Sequence, residues 1–227
     1  MSYNKVIVAL DSSNLIKTKK IVSNLKDDVF AFKIGYEFFF NFGIDGYKKI
    51  KKISPNIFLD LKLHDIPNTV KNGLIALNKL KPLLTTIHIS GGDEMMKASL
   101  IKNKFTKVLG VSILTSLNED QTKKYFNETK INLLVKKFVK YAKNNKLDGV
   151  VCSPKEIKYI RKEVGKKFLI VTPGIRTDIL TKTDDQKRTM TPKEALKLGA
   201  DYIVIGRPIT KAKNTKKIIK TINNSIN

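Results

Sequence analysis

Eight short runs rich in β-branched and apolar residues alternate with amphipathic stretches along the chain. The strand-like runs cover residues 5–10, 29–34, 56–61, 83–89, 106–113, 148–152, 167–172 and 201–206. Helical patterns between them include 14–25, 69–80, 131–145 and 192–199. Strands separated by helices assemble into parallel sheets, because a parallel pair needs a crossover long enough to hold a helix. Eight such units in 227 residues predict a (β/α)8 TIM barrel, an α/β fold, with an open doubly wound sheet as the alternative. No composition break, linker or low-complexity tract interrupts the pattern, so residues 1–227 read as a single barrel domain.

A barrel carries its chemistry at the C-terminal ends of its strands. Those ends read Asp11, Lys33, Asp60 with Lys62, His88, Ser112 with Thr115, Ser153, Pro173 with Gly174, and Gly206 with Arg207. Any one of them is an ordinary first loop residue. The whole set converging on one mouth is harder to ascribe to loop polarity.

The third strand is the most informative. In 56-NIFLDLKLHDIPNTV-70, side chains alternate with period two, so Phe58, Asp60 and Lys62 share one face and Ile57, Leu59, Leu61 and Leu63 the other. The aliphatic face belongs against the helix layer, which turns Phe58 inward and lifts Asp60 and Lys62 to the open rim. Asp65 falls at the turn into a helix that begins near Pro67. Two readings stand here: a structural ion pair with Asp65 or Asn68 capping the helix, or charges kept for chemistry. Lys33 favours the second, since it ends the neighbouring strand and sets another ammonium beside Asp60. Alternating Lys and Asp groups can all stay ionised together, but such a network is costly to desolvate.

A second polar region closes the chain. A loop from Pro173 to about Thr189 precedes a helix near Pro192, and loops of this length in compact domains are commonly lids or binding loops. The last strand ends in Gly206-Arg207-Pro208, where barrels often bind phosphate.

Charge raises a nucleic-acid reading, with 44 Lys+Arg against 20 Asp+Glu and a net charge of +24. Two features oppose it. The lysines are dispersed through nearly every helix, and only Arg161, Arg176, Arg188 and Arg207 are arginine, the residue preferred for phosphate forks and groove contacts. Where this chain keeps an arginine, a planar fork is expected. The single cysteine, Cys152, excludes an internal disulfide and suits a reducing compartment. Val6–Leu10 is too short for a signal-peptide core, and no segment approaches the roughly 20 apolar residues that span a bilayer. A cytoplasmic protein with no membrane or nucleic-acid partner is the expectation.

Over essentially the whole chain, 8-VALD-11, 32-FKIG-35, 59-LDLKLHDIPNTV-70, 113-ILTS-116, 149-GVVCS-153, 172-TPGIR-176, 184-DDQKR-188 and 203-IVIGRP-208 resemble the motifs of the bacterial orotidine 5′-phosphate decarboxylases. The resemblance implies conversion of orotidine 5′-monophosphate to UMP and CO2 in de novo pyrimidine synthesis, with no metal or organic cofactor. It implies that Lys62 stabilises the carbanion at C6 and delivers the proton, while Asp60 lies against the departing carboxylate. Lys33 would complete a Lys33-Asp60-Lys62-Asp65 charge network and, with Asp11, bind ribose hydroxyls. Asp65, Ile66 and Thr69 would reach into the site of a second subunit, giving a homodimer with shared active sites. Thr115 would contact the pyrimidine edge and Pro173 line the base pocket. Gln186, Gly206 and Arg207 would hold the phosphate, with Arg176 also in the substrate-binding set. Ile89 and Ser112 depart from the expected pattern without touching the charged network.

The nearest rivals, 3-keto-gulonate-6-phosphate decarboxylase and hexulose-6-phosphate synthase, share the D-x-K-x-x-D strand but use magnesium and carry a glutamate where Lys33 stands. An ammonium there repels a cation that prefers carboxylate oxygens. A Schiff-base aldolase using Lys33 or Lys62 is disfavoured because flanking carboxylates raise a lysine's pKa, whereas imine formation needs it lowered.

Overall fold

The computed structural model describes residues 4–100, 105–176 and 190–226. All eight expected strands form: β1 (Val6–Ala9), β2 (Ala31–Ile34), β3 (Ile57–Leu63), β4 (Leu84–His88), β5 (Lys107–Val111), β6 (Gly149–Val151), β7 (Leu169–Thr172) and β8 (Tyr202–Ile205). They run parallel in sequence order, and β1 pairs with β8 through Val6–Ile203, Ile7–Val204 and Val8–Ile205, so the sheet closes into a barrel. The open-sheet alternative is thereby excluded. The ten helices of the described residues are α1 (Leu15–Leu25), α2 (Tyr36–Lys51), α3 (Pro67–Asn78), α4 (Gly92–Ala98), α5 (Glu119–Phe126), α6 (Ile131–Asn144), α7 (Ile157–Val164), α8 (Pro192–Lys197), α9 (Arg207–Thr210) and α10 (Thr215–Ile226). None of them is long and apolar enough to cross a membrane.

Strand alternation separates two cores. Ile7, Ala9, Ala31, Phe58, Leu84, Leu109, Val171 and Val204 fill the barrel interior, whose lower end is covered by Phe30 stacked on Tyr202 at 3.7 Å. The opposite faces, including Ile57 and Leu59, pack against the helices in a much larger outer core. Phe58 therefore turns inward and its aliphatic neighbours outward, as the period-two pattern of β3 predicts.

Two local features depart from simple periodicity. Helix α2 is kinked at Gly43, whose φ of +56° lies in the left-handed region that glycine enters without a Cβ penalty. After β7, the described ends of the long loop are tied together: Arg176 N–H donates to Met190 O at 3.0 Å, and Met190 N–H to Gly174 O at 3.3 Å. Helix α8 then begins at Pro192, where Thr191 accepts from Glu194 N–H and the Glu194 carboxylate accepts from Thr191 N–H.

Arg161 meets the expectation of a fork, with main-chain carbonyls and a carboxylate as its partners. Its Nε and Nη2 donate to Gly199 O at 3.0 and 2.7 Å, Nη1 donates to Phe168 O at 2.8 Å, and Nη2 also reaches the Asp201 carboxylate at 2.6 Å. One guanidinium thus stitches α7 to the segments entering β7 and β8. A lysine has a single donor head and cannot span these acceptors. Arg161→Lys should lower stability by about 1–3 kcal/mol, read as a shifted urea midpoint, while leaving site residues on the opposite end of the barrel undisturbed.

Candidate active site

Closure of the barrel brings the ends of β1, β2 and β3 together around one buried carboxylate. Asp60 is 6% exposed. Its Oδ2 lies 2.7 Å from Lys62 Nζ and 3.6 Å from Lys33 Nζ, and its Oδ1 accepts from Thr86 Oγ1 at 2.8 Å. Lys33 Nζ also lies 3.2 Å from Asp11 Oδ1. Burial alone pushes the Asp60 carboxyl up, but Lys33, Lys62 and the two side-chain hydrogen bonds outweigh it and hold the group below the usual carboxylate range. The register explains the diagonal reach of Lys33: its Cα partner across β2–β3 is Phe58, one inward position below Asp60.

The pairing of Asp60 with Lys62 involves more than strand alternation. Between Leu59, which pairs with Thr85, and Leu63, which pairs with Ile87, three residues of β3 face one of β4. Lys62 sits in this bulge with φ +43°. A non-glycine residue there costs on the order of 1–3 kcal/mol, strain of the kind that collects at functional sites. Its N–H no longer meets a ladder carbonyl and donates instead to Thr86 Oγ1 at 2.9 Å. On the outer side Tyr36 OH donates to Leu61 O at 3.1 Å, and the Tyr36 ring lies 5.8 Å from Lys62 Nζ.

Above this network opens a cavity of about 300 Å3. Asp11, Lys33, Asp60 and Lys62 form one wall, while Gly206, Arg207 and Pro208 stand at the β8 end. Thr115 and Pro173 also line it, together with apolar side chains such as Ile113, Val151 and Ile175. A wall of paired charges, an apolar lining and a glycine–arginine corner suit a ligand with an apolar body and polar or anionic substituents.

Several expected residues lie elsewhere. Ser112 points away and donates to Val151 O at 3.1 Å, and Ser153 opens a turn in which its N–H donates to Glu156 at 3.0 Å. Arg176 is half-buried beside the mouth without lining the cavity. Gln186 and Arg188 fall outside the described residues. Asp65, Ile66 and Thr69 are exposed, and Asp65 and Thr69 face a second concavity on the outer flank with Tyr36, Phe40, His64 and His88. The helix-cap reading of Asp65 and Asn68 does not hold, because Ile66 is the N-cap of α3 and no side chain caps it. Asp65 has no ion-pair partner among the described residues, so within one chain the linked charges are Asp11, Lys33, Asp60 and Lys62.

Sequence reasoning missed Thr86, Tyr36 and Gly35. A Cβ on Gly35 would come within 3.0 Å of both Asp11 Oδ1 and Lys33 Nζ, so the bare glycine leaves room for that ion pair. Thr86 had a legible signal: it is the inward position of β4, the strand beside Asp60. Tyr36 had none, because its contact depends on how α2 leaves β2.

Fold and site together define a (β/α)8-barrel enzyme built around a lysine–carboxylate network. Residues 4–222 match the model of the Orotidine 5'-phosphate decarboxylase / HUMPS family. A relative named orotidine 5′-phosphate decarboxylase from Wolbachia sp. subsp. Brugia malayi (strain TRS) is 42% identical, over 96% of this chain and 99% of its own. One of the same name from Wolbachia pipientis subsp. Culex pipiens (strain wPip) is 46% identical over 93% of each. The crystal structure of orotidine 5′-phosphate decarboxylase from Lactobacillus acidophilus superposes with a TM-score of 0.84 at 40% identity, covering 99% of both chains. The chain belongs to this family and is a carboxy-lyase.

His88 ends β4 but turns to the outer concavity, its ring 5.1 Å from that of His64. Burial, then the proximity of His64 and Lys62, lowers its pKa from 6.5 to about 4, with Asp60 opposing weakly. The folded chain therefore binds this proton less readily than the unfolded one. The stability this depression contributes is fully present above pH 6.5 and is lost as pH falls from 6.5 towards 4. His88→Gln should remove that slope: wild type should lose urea stability relative to the variant across this window, and parallel curves would contradict the assignment.

Proposed function

We propose that the chain decarboxylates orotidine 5′-monophosphate to UMP and CO2, with Lys62 as the proton donor. The observation that carries this reading is the ionised Asp60, buried between Lys33 and Lys62 on one wall of a cavity that Gly206 and Arg207 also line. Loss of CO2 leaves an electron pair on C6 of the pyrimidine. A fixed ammonium in a desolvated mouth stabilises that charge far better than water would, because its dipoles and charges need no reorganisation. Lys62 Nζ then gives its proton to C6 and regains one from solvent. Asp60 holds Lys62 by a 2.7 Å contact and would lie against the departing carboxylate. Its main contribution on this reading is preorganisation.

Lys33 and Asp11 would take the ribose hydroxyls, Thr115 and Pro173 the base, and Gln186, Gly206 and Arg207 the phosphate, with Arg176 also in the substrate-binding set. Lys33 also argues against the magnesium-dependent branch, since its ammonium stands 3.6 Å from the carboxylate a cation would need. The reaction as proposed uses no metal or organic cofactor. Asp65, Ile66 and Thr69 would complete the site of a second copy, closing the charge network across a homodimer. Supporting this are the exposed apolar side chains flanking Asp65, with Phe40 at 78% and Ile66 at 67% exposure. The chain is read as one domain acting in the cytoplasm, with neither nucleic acid nor membrane as partner.

The deciding assay follows the ultraviolet absorbance of orotidine 5′-monophosphate with EDTA present. Turnover is expected, and activity only with added Mg2+ would contradict the reading. Lys62→Ala should reduce kcat by at least about a thousandfold, the upper range for a general acid, while still binding UMP. Mixing Lys62→Ala with Asp65→Ala, each inactive alone, should restore part of the activity, because a heterodimer carries one intact site. Absence of that rescue would count against shared sites.

A further inference from the structure

We infer that Thr86 is a positioning residue for the decarboxylation, setting the Asp60 carboxylate and the Lys62 main chain through a single hydroxyl. This rests on the reading that Asp60 and Lys62 serve the reaction. Thr86 does not line the cavity, so it does not touch substrate. It is fully buried at the inward position of β4, directly across from the bulge of β3.

The two bonds are directional. An ionised carboxylate only accepts, so the hydroxyl proton must point to Asp60 Oδ1, 2.8 Å away. That orientation leaves a lone pair for the Lys62 N–H at 2.9 Å. The neighbouring Thr85 makes a different kind of bond, donating to the backbone carbonyl of Leu59 at 2.9 Å within the regular part of the ladder. Among the described residues, Thr86 alone bridges the Asp60 carboxylate and the displaced backbone of Lys62. With Tyr36 holding Leu61 O from the outer side, the segment carrying both charges is pinned from two faces. The hydroxyl fixes where Lys62 leaves the strand, and hence where its ammonium meets the ligand.

The test compares kcat, KM, UMP affinity and the pH profile of kcat for wild type, Thr86→Ser and Thr86→Val. The charged and titratable groups facing Asp60 are Lys33 on β2, Lys62 on β3, His88 on β4 and Tyr36 on α2, with Asp11 beyond Lys33. All are unchanged in these variants. Thr86→Val keeps the shape but loses both bonds, so kcat should fall about 10- to 100-fold, the loss typical of a hydrogen bond to a charged group. UMP affinity should stay close to wild type. The acid limb of the kcat profile should move to higher pH, because Asp60 loses a donor that favours its ionised form. Thr86→Ser should restore most of kcat and the original limb.

A folded valine variant with wild-type kcat and an unmoved limb would overturn the inference, as would a serine variant impaired as much as valine. Should the valine chain fail to fold, Thr86→Cys decides: a weakened donor of similar size should give an intermediate kcat, and wild-type kcat would overturn the inference. Wild-type turnover with an unaffected valine variant refutes the role of Thr86 alone. No turnover by wild type refutes the decarboxylase reading and the positioning role with it.

Discussion

A carboxylate carried into the wall of an apolar barrel stays ionised only if opposite charges and hydrogen-bond donors replace the water it has lost. Asp60 meets this condition with Lys33, Lys62 and Thr86, drawn from β2, β3 and β4. No two of these strands suffice. If either lysine were removed, the buried carboxylate would lose part of its compensation; breaking a buried ion pair typically costs about 3–5 kcal/mol. The site therefore depends on the barrel keeping its register through three consecutive strands.

The interior core is small, and it leaves its upper end to charge. Its lower end is sealed by Phe30 against Tyr202, while the outer core between strands and helices holds most of the buried apolar side chains. This division lets the mouth carry strain. The left-handed backbone of Lys62 and the closely spaced ammonium groups are unfavourable locally, and the outer core offsets them. Arginine is used sparingly, and Arg161 shows one use: its planar guanidinium bonds the carbonyls of Gly199 and Phe168 and the Asp201 carboxylate at once, which a single lysine head could not do.

The outer flank beside β3 has a different character. Tyr36 and Phe40 from α2, His64, Asp65 and Thr69 around the start of α3, and His88 from β4 surround a concavity that shares Lys62 with the main cavity. Lys62 is thus the point at which the interior site and this flank meet. Tyr36 contributes to both, by its hydrogen bond to Leu61 and by its ring beside the Lys62 ammonium.

Much of this was legible in the chain because it depends on local period. Alternation of strands and helices gave eight units, and period two placed Phe58, Asp60 and Lys62 on the inner face with Lys33 beside them. Proline at 67 marked the start of α3, and Gly206-Arg207 marked the far end of the cavity. Other assignments failed for a shared reason. His88, Ser112 and Ser153 end strands as Asp60 and Lys33 do, yet they turn to the flank or bond backbone, and nothing in their spacing separates the two groups. By itself, then, the sequence determined the α/β alternation and which charges could share a face, since both follow from periodicity along one strand or helix, while closure of the sheet was decided by the pairing of β1 with β8. Only the tertiary structure decided that Lys62 stands in a bulge, that Thr86 lies across from Asp60 and that Asp65 remains outside the protomer's own network. Those relations are set between strands, by register and by the two extra residues of β3, and no single segment carries that information.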